Sequence, residues 1–95
     1  MHVRVRLPTQ LRNLAAGASS VVVVVDSTPV TVTSVLDSLA ATHPALERRV
    51  RNETGRTRVH VNLFVDDDNI RDLDGVDTTI ADGSDLSIIP AISGG

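Results

Sequence analysis

A chain of 95 residues and 10.1 kDa, 41% hydrophobic and 22% charged, has the material for one small domain with a core and none for a second. It has no cysteine, tryptophan or tyrosine, all nine of its basic residues are arginine, and Phe64 is its one aromatic. These absences exclude a disulfide framework, a thiolate metal site, cysteine and lysine nucleophiles, Schiff-base chemistry and an aromatic platform for single-stranded nucleic acid. The net charge of -3 is unevenly divided: residues 1–60 carry eight arginines against four acids, whereas residues 61–95 carry one arginine against eight acids. Such a bipolar surface suits docking to a complementary protein better than binding a polyanion.

Val3, Val5 and Leu7 alternate with Arg4 and Arg6, which predicts a strand with one buried face, ended by Pro8. Residues 8–19 read as a loop with one helical turn near Gln10 to Leu14. The β-branched run Val21 to Val25 predicts a second strand that pairs with the first. Thr31 is an N-cap candidate, and Val32, Val35, Leu36 and Leu39 follow at the spacing of an amphipathic helix that Pro44 ends. A short second helix is expected at Ala45 to Val50, and a mobile loop at Asn52 to Arg58 around Gly55.

Alternation from Val59 to Val65 predicts a third strand. Asp66 to Asn69 then reads as a turn into a short strand at Ile70–Arg71. Asp74-Gly75 and Asp82-Gly83 are further turns, and Leu86 to Pro90 is the last strand, with Leu86 and Ile88 on one face and Ile89 on the other. The expected class is α+β, two layers, with one main helix packed on one face of a mixed sheet. A β-grasp topology fits the order, with the first and last strands parallel at the centre, and a split βαβ topology competes with it. Residues 1–90 would form the domain and residues 91–95 a flexible tail.

The side chains offer little chemistry. His2 and His60 have the parity to approach each other across the sheet, but two ligands without a third do not make a metal site, and none is expected. Asp66 to Asp68 lack the glycine and distal glutamate of a calcium loop. There is no glycine-flanked nucleophile elbow, and Gly55-Arg56-Thr57 lacks the spacing and lysine of a phosphate-binding loop. The longest apolar run, Val21 to Val25, is far too short to span a bilayer, and the alternating start is not a signal peptide, so no membrane association and a cytoplasmic location are expected. What stands out is the end, Ala91-Ile92-Ser93-Gly94-Gly95. A diglycine without Cβ atoms can thread a narrow channel in extended form and present a carboxylate inside another protein.

The stretch Val61-Asn62-Leu63-Phe64-Val65-Asp66, then Leu73-Asp74-Gly75, then Ile80 through Gly95 resembles the ubiquitin-like sulfur carriers. This family includes the small subunit of molybdopterin synthase and the thiamine-pathway carrier. The molybdopterin-type tail usually has two prolines and preceding aromatics where this chain has Ile88-Ile89-Pro90-Ala91, and the thiamine type is usually shorter. The length, and Asp66 to Arg71 after the third strand, look most like the branch serving cysteine biosynthesis in actinobacteria.

The resemblance implies a β-grasp fold and a protein co-substrate, not an enzyme. A ThiF- or MoeB-like activating enzyme would use ATP to adenylate Gly95, and a sulfur donor such as a rhodanese-type protein would then yield the thiocarboxylate. The carrier itself would bind no cofactor. The sulfur acceptor would be a PLP-dependent cysteine synthase, with thiosugar, thiazole or molybdopterin synthases as other acceptors, and a zinc metalloprotease would release the added cysteine. Gly94, Ser93 and Ile92 would thread the partner's channel. Ile89, Val65, Phe64 and Leu7 fall at apolar partner-contact positions, and parity puts Ile89 and Phe64 on the outer face. The same activated terminus would serve a ubiquitin-like modifier joined to target lysines, and a third reading is a non-catalytic interaction module.

Overall fold

A computed structural model describes residues 1–91, and its core begins with the alternation at the N-terminus. Strand β1 (His2–Arg6) buries Val3 and Val5 and turns His2, Arg4 and Arg6 outward. A 3-10 segment over Thr9–Ala15, longer than the single turn expected, leads into β2 (Ser20–Val24), which pairs antiparallel to β1. Helix α1 (Val32–Thr42) starts where Thr31 caps it: the Thr31 hydroxyl accepts from the Ser34 amide at 3.1 Å, and the Ser34 hydroxyl accepts from the Thr31 amide at 2.8 Å. This reciprocal pair satisfies donors that a helix start leaves free. Helix α2 (Pro44–Val50) carries proline in its first turn, where the missing N–H costs nothing.

The remaining strands are β3 (Val61–Val65), β4 (Asp68–Asn69) and β5 (Asp85–Pro90). The sheet order is β2-β1-β5-β3-β4, with β1 and β5 parallel at the centre and every other pairing antiparallel. This is the β-grasp arrangement, and the split βαβ alternative is excluded by it. The helices cover one face, so Val32, Val35, Leu36, Leu39, Leu46 and Val50 meet the inward residues of the sheet, Val3, Val5, Leu63, Leu86 and Ile88.

Three local expectations are corrected. Strand β3 starts at Val61: Val59 is 85% exposed, because the Val61 amide donates back to the Arg58 carbonyl and closes a turn just where the alternation had continued. Asp68–Asn69 forms the short strand, and Ile70–Asp72 is a 3-10 turn capped by the Asn69 side chain. The Asn52 to Arg58 segment is tied down, not loose: the Asn52 carboxamide oxygen accepts from the Thr54 amide, the Thr54 hydroxyl and the Arg56 amide, and Arg51 bridges to Thr57.

Two polar arrangements fix the frame. Glu47 is buried in α2, where Arg51 bonds it one turn on and also reaches Asp37 at 2.9 Å. Burial opposes the Arg51 cation, but the hydrogen bonds to Glu47 and Asp37 outweigh it and hold its pKa above the ordinary value. At the turn after β3, Asp66 has a positive φ of 53°, a conformation that Asp tolerates better than most residues. Its amide donates to the Asp85 carbonyl and its Oδ1 accepts from the Asp85 amide, both at 3.0 Å, pinning the start of β5.

Leu36 is fully buried, so Leu36→Ala should cost about 2–5 kcal/mol in urea unfolding, while Val22→Thr on the exposed outer face should stay within about 0.5 kcal/mol. The bond from the Asp85 backbone, with one from the Ser84 side chain, holds the Asp66 carboxyl below its ordinary pKa. A carboxyl lowered on folding contributes stability that is present above the unfolded pKa and lost as pH falls through the folded one. Asp66→Asn, which keeps the shape of the turn, should therefore flatten the acid side of the stability-versus-pH curve, as followed by thermal unfolding.

Candidate functional site

The register of the sheet decides what surrounds the end of β5. Because β5 runs parallel to β1 and antiparallel to β3, its last residues lie beside the end of β1 and the start of β3, with Val61 opposite Pro90. The Ala91 amide donates to the His60 carbonyl at 2.8 Å, so the backbone is held up to the last described residue. The chain thus leaves the domain from a central strand and not from an edge. Ile92, Ser93, Gly94 and Gly95 lie outside the described residues, as does the expected flexibility of that tail.

The positions expected to contact a partner separate by depth. Ile89 is 43% exposed, and Phe64 is half-buried on the same outward face, the two standing diagonally on neighbouring strands, with Ile89 paired to Asn62 and Phe64 to Ser87. Leu7 and Val65 are only 4% and 9% exposed. Strand parity turns Val65 inward with Leu63, and Leu7 packs in the core after β1, so both lie beneath the surface as support, and the exposed apolar patch narrows to Ile89 and Phe64. Phe64 is thereby neither wholly core nor wholly surface.

A shallow groove of about 470 Å3 runs along the outward face beside this patch, floored by Ser87 and Ile89 and walled by Arg4, Arg6 and Arg12. Arg4 and Arg6 share one carboxylate, Asp85, at 4.0 and 3.8 Å. The Arg12 Nε donates to the Leu7 carbonyl at 3.2 Å, so its cation has no carboxylate partner among the described residues. A smaller hollow on the other flank of Pro90 is lined by Gln10, Arg49, His60 and Val61. These arginines were counted in the sequence but not located by it, because only the packing of the 3-10 segment and α2 against the sheet brings Arg12, Arg49 and His60 to one end.

His2 and His60 do not meet. His2 lies at the start of β1 and His60 at the start of β3, at opposite ends of the sheet with β5 between their strands. Among the described residues, no group of three or more His, Asp or Glu side chains is placed to hold a metal ion. No described helix is long and apolar enough to cross a membrane.

Residues 5–95 match the ThiS family. The chain belongs to the ThiS family. "Sulfur carrier protein CysO" of Mycobacterium tuberculosis is 34% identical over 97 residues, covering all of both chains. "Small archaeal modifier protein 1" of Haloferax volcanii is 35% identical over 80 residues, 84% of this chain and 86% of the other. The crystal structure of the Amycolatopsis orientalis BexX/CysO complex contains a chain that superposes with a TM-score of 0.81 at 30% identity, covering 98% of this chain and 99% of that one. These ThiS-family and CysO likenesses agree with the β-grasp topology seen here.

Ile88 and Ile89 are neighbours with opposite fates, and substitution should expose the difference. Ile88 is buried, so Ile88→Ala should lose about 2–5 kcal/mol, whereas Ile89→Ala should lose under about 1 kcal/mol in the same denaturant titration.

Proposed function

We propose that this chain is a sulfur carrier whose reactive group is the carboxylate of Gly95. A ThiF- or MoeB-like activating enzyme would bind the domain and ATP. The Gly95 carboxylate oxygen attacks the α-phosphorus, pyrophosphate departs, and an acyl-adenylate results. A carboxylate is a poor electrophile, and the mixed anhydride supplies AMP as a good leaving group. A persulfide on a rhodanese-type donor then attacks the acyl carbon and expels AMP. Reductive cleavage of the resulting acyl disulfide by a thiol leaves the thiocarboxylate.

The full-length likeness to a sulfur carrier protein, 34% over the whole of both chains, carries this reading. The geometry supports it: the last described strand sits at the sheet centre with its root hydrogen-bonded at Ala91. Four further residues, fully extended, span at most about 14 Å, enough to reach into a partner while the domain stays outside. Gly94 and Ser93 give that span little bulk next to Gly95, Ile92 starts it, and Ile89 and Phe64 supply the apolar contact beside its root.

In the cysteine-forming version, the thiocarboxylate sulfur would displace the β-leaving group of an activated serine derivative on a PLP-dependent cysteine synthase, an S-to-N acyl shift would turn the thioester into a Gly95–cysteine amide, and a zinc metalloprotease would hydrolyse that amide to free cysteine and the Gly95 carboxylate. Thiosugar, thiazole and molybdopterin synthases are the other acceptors of the same nucleophile. The domain contributes no catalytic group and acts as a co-substrate in the cytoplasm.

The likeness to a small archaeal modifier protein favours a second reading, in which the same adenylate is passed to lysines of other proteins. With no lysine of its own, the chain cannot build lysine-linked chains on itself.

Incubation with the activating enzyme of the source organism, ATP and a sulfur donor should raise the intact mass by the replacement of one oxygen with sulfur, located at Gly95 by fragmentation. Isopeptide-linked products without a thiocarboxylate would favour the modifier reading. Absence of any adenylate would sink both.

A further inference from the structure

The uneven charge of the sequence acquires a direction once the strands are placed. One end of the sheet collects the end of β1, the start of β2, the start of β3 and the end of β5, which is the root of the tail. Arg6 and Arg12 stand on one flank of that root, lining the groove beside Ile89 and Pro90. Arg49 and His60 stand on the other, around the hollow that Pro90 also lines. Arg58 joins them, since its amide donates to the Val50 carbonyl and its Nε to the Arg48 carbonyl at 2.8 Å, drawing the arginine-bearing end of α2 to the start of β3. The opposite end of the sheet holds Asp26, Asp66 and Asp67, while Asp85 at the start of β5 is taken up by Arg4 and Arg6. Arg12, Arg49 and Arg58 have no carboxylate within ion-pair distance among the described residues.

We infer that this cationic collar around the tail root docks on an acidic rim surrounding the mouth of the channel that receives the tail in a partner protein. The inference rests on the carrier reading and adds the chemistry of the partner surface. With one positive pole beside Pro90 and a negative pole at the far end of the sheet, the charge distribution orients the chain tail-first toward an acidic mouth. The reach of four residues keeps the collar on the rim and away from the reacting carbon, so it acts on encounter and binding. An acidic protein surface fits better than a nucleic acid. The net charge is -3, the far pole repels an extended polyanion, and no Phe, Tyr or Trp side chain lines either hollow for a base to stack on.

The test uses the full chain with its activating enzyme, following ATP–pyrophosphate exchange at rising NaCl. The double variant Arg12→Gln with Arg49→Gln should raise KM for the carrier about tenfold with kcat little changed, and its KM should be less sensitive to salt than that of the parent. Ser27→Glu with Ala81→Glu makes the same net-charge change at the other end and should leave KM within about twofold. Arg49→Gln alone, an exposed change, guards against a folding effect and should raise KM by a smaller factor. Equal KM for the parent and both arginine variants would overturn the collar while leaving the carrier reading intact.

If the parent is not activated at all, the carrier reading fails, and NMR titration then decides the collar by itself. Polyglutamate should shift the amides around Arg12, Arg49 and Arg58 in a salt-sensitive way. Shifts scattered over the molecule, or a short DNA duplex binding there more tightly than polyglutamate, would overturn the inference.

Discussion

The parallel pairing of β1 with β5 governs the rest of the structure. It joins residues near the two ends of the sequence through three register pairs, Arg4 with Asp85, Val5 with Leu86 and Arg6 with Ser87. Parallel neighbours require a long crossover, so the chain between them must cross back over the sheet, and both helices pack on one face while β2, β3 and β4 join the sheet itself. Val5 and Leu86 are fully buried in the centre of that pairing, which gives it the apolar contact that such a non-local closure needs. The same pairing fixes the direction of β5. It brings the last described residue, Ala91, hydrogen-bonded to His60, between the end of β1 and the start of β3, and so decides which side chains surround that point.

From that constraint follows a separation between frame and chemistry. The frame is made of valine, leucine and isoleucine, capped and braced by Thr31, Ser34, Glu47, Arg51 and Asp66. None of these braces is a reagent. A chain without cysteine or lysine has no side-chain thiol or amine to compete for an activated carboxyl group, so the absences noted in the composition accord with chemistry placed at the end of the chain. The outward face supplies what a partner would recognise: an apolar patch at Ile89 and Phe64 flanked by arginines.

Much of this was legible in the residues. The alternation of Val3 and Val5 with arginines gave β1 its buried face, Thr31 marked the start of α1, and Leu86 and Ile88 gave the parity of β5. The signals failed where a backbone turn overrode a side-chain period. Val59 continues the alternation of Val61, but the turn closed by Val61 and Arg58 leaves it in solvent. Asn52 looked like part of a loose loop because its three side-chain hydrogen bonds depend on a turn that composition does not specify. Leu7 and Val65 read as contact positions by resemblance, yet parity and packing bury them. The charge asymmetry could be counted but not oriented, since the two poles are assembled from segments far apart in sequence.

The central claim is that the domain presents a chemically active end without depending on it for its fold. Removing Gly95 tests this most directly, with the folded state and activation measured on the same sample. The account predicts amide NMR spectra and a thermal midpoint that match the parent for the domain, together with complete loss of adenylation by the activating enzyme. Unfolding on removal of Gly95, or adenylation that persists without it, would contradict the account.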